Sequence, residues 1–122
     1  MTTKLSTLQR GVAAVTGGSA GIGKAICEHL LALGHEVVSL SRRRSEVAHA
    51  RLHSIEVDLT DRQATAQAAG ELVRRFEVTT VVHNAGVIRP ALLAEVKLDD
   101  LDALVDLHIG CAIQLVQAAL PA

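Results

Sequence analysis

Aromatic side chains are almost missing from this chain: Phe76 stands alone, and there is no Tyr and no Trp. Without them no platform can be built on which unpaired bases stack, so the binders of single-stranded nucleic acid are excluded. The core has to be made of Val, Leu, Ile and Ala. Cysteine is scarce as well. Cys27 and Cys111 fall inside apolar helical patterns with no CxxC spacing, and read as buried free thiols rather than as a disulfide or metal pair. Of the histidines (His29, His35, His49, His53, His83 and His108), only His49 and His53 stand at HxxxH spacing, and no His/Cys cluster accompanies them, so no metal is expected. Neither sign of charge is in excess. A formal net charge of −1 gives no electrostatic footprint for a polyanion, and no nucleic-acid partner is expected. No apolar run approaches the roughly 20 residues of a bilayer span, and the first ten residues carry no hydrophobic signal region. No membrane partner is expected, and a cytoplasmic location follows. Half the chain is apolar (49%) and a fifth charged (20%), which over 122 residues suits one folded domain and leaves no room for a second.

The chain is organised around Thr16-Gly17-Gly18-Ser19-Ala20-Gly21-Ile22-Gly23. Val12 to Thr16 reads as a buried strand, and Gly21 to Leu33 as a helix with Ile22, Ala25, Ile26, Leu30 and Leu33 on its apolar stripe and Gly34 as its stop. Glycines between a strand and a helix let the backbone turn sharply and point N–H groups at a phosphate. The same turn can also serve only to join packed elements. Gly18, Gly23 and Lys24 fit the start of a Walker A loop, but Ala25 stands where that motif needs a Ser or Thr hydroxyl for magnesium.

Further strands are expected at Val37 to Leu40, His53 to Val57 and Val78 to His83, the last a β-branched run that reads as buried on both faces. Between the second and third lies a polar turn, Ser41 to Ser45, and a segment to Arg51 with room for a short helix. Thr60 or Asp61 caps a helix over Arg62 to Phe76. Pro90 punctuates a loop, and a long helix runs from about Asp99 to Leu120, its stripe being Leu101, Leu104, Val105, Ile109, Ala112, Ile113 and Val116. Strands alternating with helices define an α/β fold: a Rossmann-type doubly wound parallel sheet in three αβα layers, with about four strands present. Ligands of such sheets lie beyond the carboxyl ends of the strands, near the switch in strand order.

The dinucleotide fingerprint GxGxxG is absent, because the glycines run Gly17-x3-Gly21-x-Gly23. That spacing after the first strand, with Asn84-Ala85-Gly86 after the fourth, resembles the short-chain dehydrogenase/reductase family. The resemblance covers nearly the whole chain and includes Asp58-Leu59 after the third strand and the long helix ending in Ala118-Ala119-Leu120-Pro121. It implies that Gly17, Gly21, Ile22 and Gly23 surround a pyrophosphate, with Ser19 adding a hydroxyl. It further implies that Asp58 accepts from the adenine amino group beside Leu59, that Asn84 braces the central strands, and that Ala85 and Gly86 let the ribose lie close. Taken alone, Asp58 reads more commonly as a helix-capping or solvated loop carboxylate, and Asn84-Ala85-Gly86 has the lesser alternative of a simple strand-ending turn.

Cofactor choice turns on the end of the second strand. NAD-binding members of the family place an acid there, whereas this chain has Ser41, Arg42 and Arg43, which suit the 2′-phosphate of NADP better than NAD. At least one arginine of the run Arg42-Arg43-Arg44 is expected simply to be solvated. The family's catalytic Ser, Tyr and Lys come after a fifth strand, and a chain without Tyr cannot hold the YxxxK pair. The family's helical Asn falls on His108, a departure that leaves His108 either relaying protons through water or merely half-buried. The expectation is therefore the NAD(P)-binding half of an NADP-preferring oxidoreductase, residues 1–122, incomplete at its C-terminus and inactive alone. Its substrate would be a small-molecule alcohol or carbonyl compound, and the complete enzyme a homo-oligomer through the long helix. The alternative is a non-catalytic nucleotide-binding module.

Overall fold

The computed structural model describes residues 11–86 and 91–121. Four strands, β1 (Val12–Thr16), β2 (Glu36–Ser41), β3 (Leu52–Glu56) and β4 (Val78–His83), form one sheet in the order β3-β2-β1-β4 with every pair parallel. Helix α1 (Gly21–Ala32) follows β1, and α2 (Arg62–Arg75) lies between β3 and β4. After a 3₁₀ turn at Leu93–Glu95, α3 (Leu98–Val105) passes through a π-helical segment, Asp106–Gly110, into α4 (Cys111–Ala119).

Alternation along the strands sorts the core into two layers. Val15 and Val37 turn to one face and pack on Cys27 and Leu31 of α1. Ala14, Val38 and Leu40 turn to the other, where Ala68, Ala69 and Leu72 of α2 meet Leu107, Cys111 and Leu115. Because successive side chains of a strand point to opposite faces, a central strand covered on both sides is expected to be apolar throughout, as β1 nearly is, whereas β2 buries Ser39 and Ser41 beside Val37, Val38 and Leu40. The result is the expected three-layer αβα arrangement. Both thiols are free and buried, and burial pushes each up to about 11, with Glu28 adding to the effect at Cys27.

The structure corrects several details. The buried face of α1 is Gly23, Cys27 and Leu31, while Ile22 and Leu33 are exposed. The glycine turn lets the helix lie with its smallest residue against the preceding turn, which rotates Ile22 outward. No helix forms between Arg42 and Arg51: the Ser54 hydroxyl accepts from the Ser45 N–H at 3.1 Å and the Ser45 hydroxyl from the Val47 N–H at 3.2 Å, so side chains take the amides a helix would use. Asp61, not Thr60, caps α2, accepting from the N–H groups of Gln63 and Ala64. Strand β4 is only partly buried, with Thr79 and Thr80 exposed, because among the described residues it pairs with β1 alone. Pro90 lies outside the described residues.

The long helical stretch differs most. Leu107, Cys111 and Leu115 face the sheet, and Leu101, Val105, Ile109, Ile113 and Val116 from the expected stripe lie exposed. The stretch is apolar on two sides, and periodicity alone does not say which side packs. Counted as one helix, Leu98–Ala119 has 22 residues, and its most apolar 18-residue stretch has a mean hydropathy of 1.3, long and apolar enough to cross a membrane by those two measures alone, while Leu107, Cys111 and Leu115 pack it into the core.

The packing yields a testable contrast. Leu72 is fully buried and Ile22 is 75% exposed. Leu72→Ala is expected to lower unfolding free energy by about 3 kcal/mol, and Ile22→Ala by less than about 1 kcal/mol, in urea denaturation. Similar losses at both positions would contradict the rotated α1 face.

Candidate functional site

The site begins with a hydroxyl at the end of β1. Thr16 Oγ1 accepts from the N–H groups of Asn84 and Ala85, both at 3.0 Å, which uses its two lone pairs. Its own proton therefore goes to His83 Nδ1, 2.9 Å away. The Asn84 side-chain amide donates to the Gly17 carbonyl at 3.3 Å, and the Gly17 N–H donates to the Leu40 carbonyl at 2.8 Å. These bonds join the turns that follow β1 and β4 and anchor the first of them to β2, at the switch in strand order. The neutral His83 ring then carries its hydrogen on Nε2, which is buried with no partner among the described residues.

Two glycines are required by geometry. Gly17 has φ +67°, a conformation that side chains disfavour. Gly23 lies so close beneath the turn that a Cβ would stand 2.0 Å from the Gly17 carbonyl oxygen and 2.5 Å from Asn84 Nδ2. The packing brings the first turn of α1 up against the strand ends, and the helix starts at Ala20 with extended backbone and no side-chain cap. Its first N–H groups are thus available to an anion, in the positive field of the helix end.

A cleft of about 410 Å³ opens above these turns. Of the residues singled out from sequence, Gly17, Ser19, Ser41, Arg42, Arg43, Leu59, Asn84, Ala85 and Gly86 line it. Gly21, Ile22 and Gly23 form the start of α1 beside the cleft without lining it. Asp58 stands behind Arg42, its Oδ2 3.6 Å from Nη2, while its Oδ1 accepts from the Thr60 N–H and hydroxyl. His108 is exposed on the π-helical segment, with Cε1 2.9 Å from where a Cβ on Gly86 would be. The Ser41 hydroxyl donates to the Arg43 carbonyl at 2.7 Å, so its proton holds the turn. The sequence reading missed Ala20, Val57, Thr60 and Leu107, which also line the cleft. The first three adjoin motif residues, whereas Leu107 enters only through the packing of the long helix and left no local signal.

Beyond the cleft, Arg62 clasps Asp106 Oδ1 through Nε at 3.2 Å and Nη2 at 2.6 Å, tying the start of α2 to the π-helical segment. That hydrogen bond and the Asp106 charge raise the Arg62 pKa further above its ordinary value.

A parallel sheet with an uncapped, glycine-turned helix facing a cleft at the switch point is the nucleotide-binding arrangement of doubly wound folds. The sequence matches the family model for short chain dehydrogenase over residues 11–122. The chain belongs to the short-chain dehydrogenase/reductase family. It is 33% identical over 109 residues to benzil reductase ((S)-benzoin forming) of Bacillus subtilis, a match covering 84% of this chain and 45% of the relative. An NADPH-dependent 3-dehydrocapnine reductase of Ornithobacterium rhinotracheale is 31% identical, with 88% of this chain and 41% of the relative covered. The crystal structure of a short-chain dehydrogenase from Streptomyces avermitilis superposes with a TM-score of 0.80 at 30% identity, covering 91% of this chain and 43% of that one. The chain thus spans less than half the length of these relatives.

Thr16→Val removes the hydroxyl while keeping its shape, leaving two amides and a ring nitrogen unpaired. A loss of about 2 to 4 kcal/mol is expected in urea denaturation, with Thr16→Ser close to the parent. A Thr16→Val protein as stable as the parent would contradict the assigned hydrogen bonds.

Proposed function

We propose that this chain is the cofactor-binding half of an NADP-preferring short-chain oxidoreductase that reduces a carbonyl or oxidises an alcohol of a small molecule by hydride transfer. The observation that carries the reading is the end of β2, where Arg42 and Arg43 line the cleft. Arg42 is 77% exposed and paired to Asp58 only at 3.6 Å. An exposed pair of that kind is worth about 0 to 1 kcal/mol, so a phosphate dianion can draw Arg42 away at little cost. Asp58, still held by Thr60, would then face the adenine amino group.

The cradle fits the rest of the cofactor. The uncapped amides of α1 and the Ser19 hydroxyl suit the pyrophosphate, and the floor of Gly17, Ala85 and Gly86 admits the ribose close to the backbone. When bound, the nicotinamide supplies or accepts the hydride. His108, lying over Gly86 at the cleft margin, is placed to hold a water and pass a proton. The 122 residues contain no Tyr, so a tyrosine proton donor would come from a segment beyond them. An NADPH-dependent relative supports the cofactor preference.

The exposed apolar side of Leu98–Ala119 is assigned to a second copy of the chain, as the family resemblance suggests. Ile109→Glu with Ile113→Glu is expected to convert an oligomer to monomer in sedimentation velocity. A parent protein that is already monomeric would contradict this assignment.

Cofactor preference is tested by calorimetric titration of the full-length protein with NADPH and NADH. Arg42→Ala is expected to weaken NADPH about 10- to 100-fold, the worth of one charge-assisted contact, and NADH by less than about threefold. Equal losses for both would overturn the NADP reading, and absence of binding to either would overturn the function.

A further inference from the structure

We propose that a groove along the outer edge of β3 is a second anion site, which takes the phosphate group of a small phosphorylated molecule. The groove holds about 410 Å³ and shares no residue with the cofactor cleft. Its polar wall is Arg44, Ser45, His49, His53, Ser54 and Arg75. The arginine run therefore divides: Arg42 and Arg43 turn to the cleft, and Arg44 turns to this groove.

The decisive feature is the polarity of the hydrogen bonds. Ser54 Oγ accepts from the Ser45 N–H, Ser45 Oγ accepts from the Val47 N–H, and His49 Nδ1 accepts from the Arg51 N–H at 3.0 Å. Each side chain has an acceptor turned to the backbone, which leaves its proton for a ligand: two hydroxyl hydrogens, each beside one remaining lone pair, and, in the neutral ring, the His49 Nε2–H. Acceptors for those protons are not found among the described residues, and a ligand rich in oxygen supplies them.

Charge points the same way. Glu36 and Glu71 are each already engaged, the first by His53 Nε2 at 3.1 Å and the second by Arg75 Nη1 at 3.2 Å. Arg75 keeps its other N–H groups, and Arg44 has no carboxylate partner among the described residues. Two guanidiniums from separate elements, with three neutral donors between them, exceed what the two oxygens of a carboxylate use and match a phosphate dianion. The floor is held in place, since Arg75 lies 5.0 Å over the Phe76 ring and that ring packs 4.8 Å from His53. A volume of this size also exceeds one phosphate ion, leaving room for the body of an ester.

The test is residue-resolved NMR of the ¹⁵N-labelled full-length protein at constant ionic strength, titrated separately with inorganic phosphate, glycerol phosphate and acetate. Saturable shifts at the amides of Ser45, His49, Arg51 and Ser54 are expected with both phosphates and not with acetate. Tighter binding of glycerol phosphate identifies an ester as the ligand, and tighter binding of the free ion identifies phosphate itself. Arg44→Gln with Arg75→Gln is expected to weaken these shifts at least about tenfold. The single exposed Arg44→Gln serves should the pair fail to fold, with a loss of about threefold or more expected. Shifts that grow linearly with concentration, that acetate reproduces, that appear only at Gly17 to Gly23, or that survive the substitutions would each overturn the site. Because the cofactor cleft reports through different amides, failure here is distinguishable from failure of the NADP reading.

Discussion

The hydroxyl of Thr16 is the constraint on which this site depends. A parallel sheet leaves its strand ends unconnected to one another, and here the turns after β1 and β4 have to meet at the switch point. One oxygen receives two amides from the β4 turn and passes its proton to His83, while Asn84 reaches back to the Gly17 carbonyl. A buried hydroxyl with all three bonds made is stabilising, and the same group with its partners stranded is costly. Gly23 is compelled by this closure, since the helix it opens has to pass directly under the Gly17 carbonyl.

What the closure achieves is electrostatic. It holds the unpaired amides of α1 at the mouth of the cleft, with no capping side chain to compete for them. Arg42 and Arg43 line the same cleft, on a turn that Ser41 fixes from within. The fixed part of the site is therefore made of backbone and the adjustable part of long, exposed side chains. That division suits a ligand whose pyrophosphate is common to two cofactors and whose 2′-phosphate distinguishes them.

Much of this was legible in the chain, for physical reasons. Val12–Thr16 announces itself because burial demands a small, apolar, β-branched run, Val78–His83 because β-branched residues favour a strand even where it is only partly buried, and the glycines announce the turn because few other residues can occupy it. Motif positions at strand ends were legible for the same reason, although Ile22 points to solvent rather than the core. Helix faces were harder. The stretch from Leu98 to Ala119 is apolar on two sides, and only the neighbouring layer selects Leu107, Cys111 and Leu115 as the inner one. Leu107 in the cleft, the pairing of Arg42 with Asp58, and the division of the arginine run depend on contacts between distant segments, which no local pattern encodes.

The central claim is that the joined ends of β1 and β4 form one cofactor surface. Amide hydrogen exchange with and without saturating NADPH tests it most directly. Gly17 to Ile22 and Ala85 to Gly86 are expected to gain protection together, at the same cofactor concentration. Protection of one turn without the other, or at neither, would contradict it.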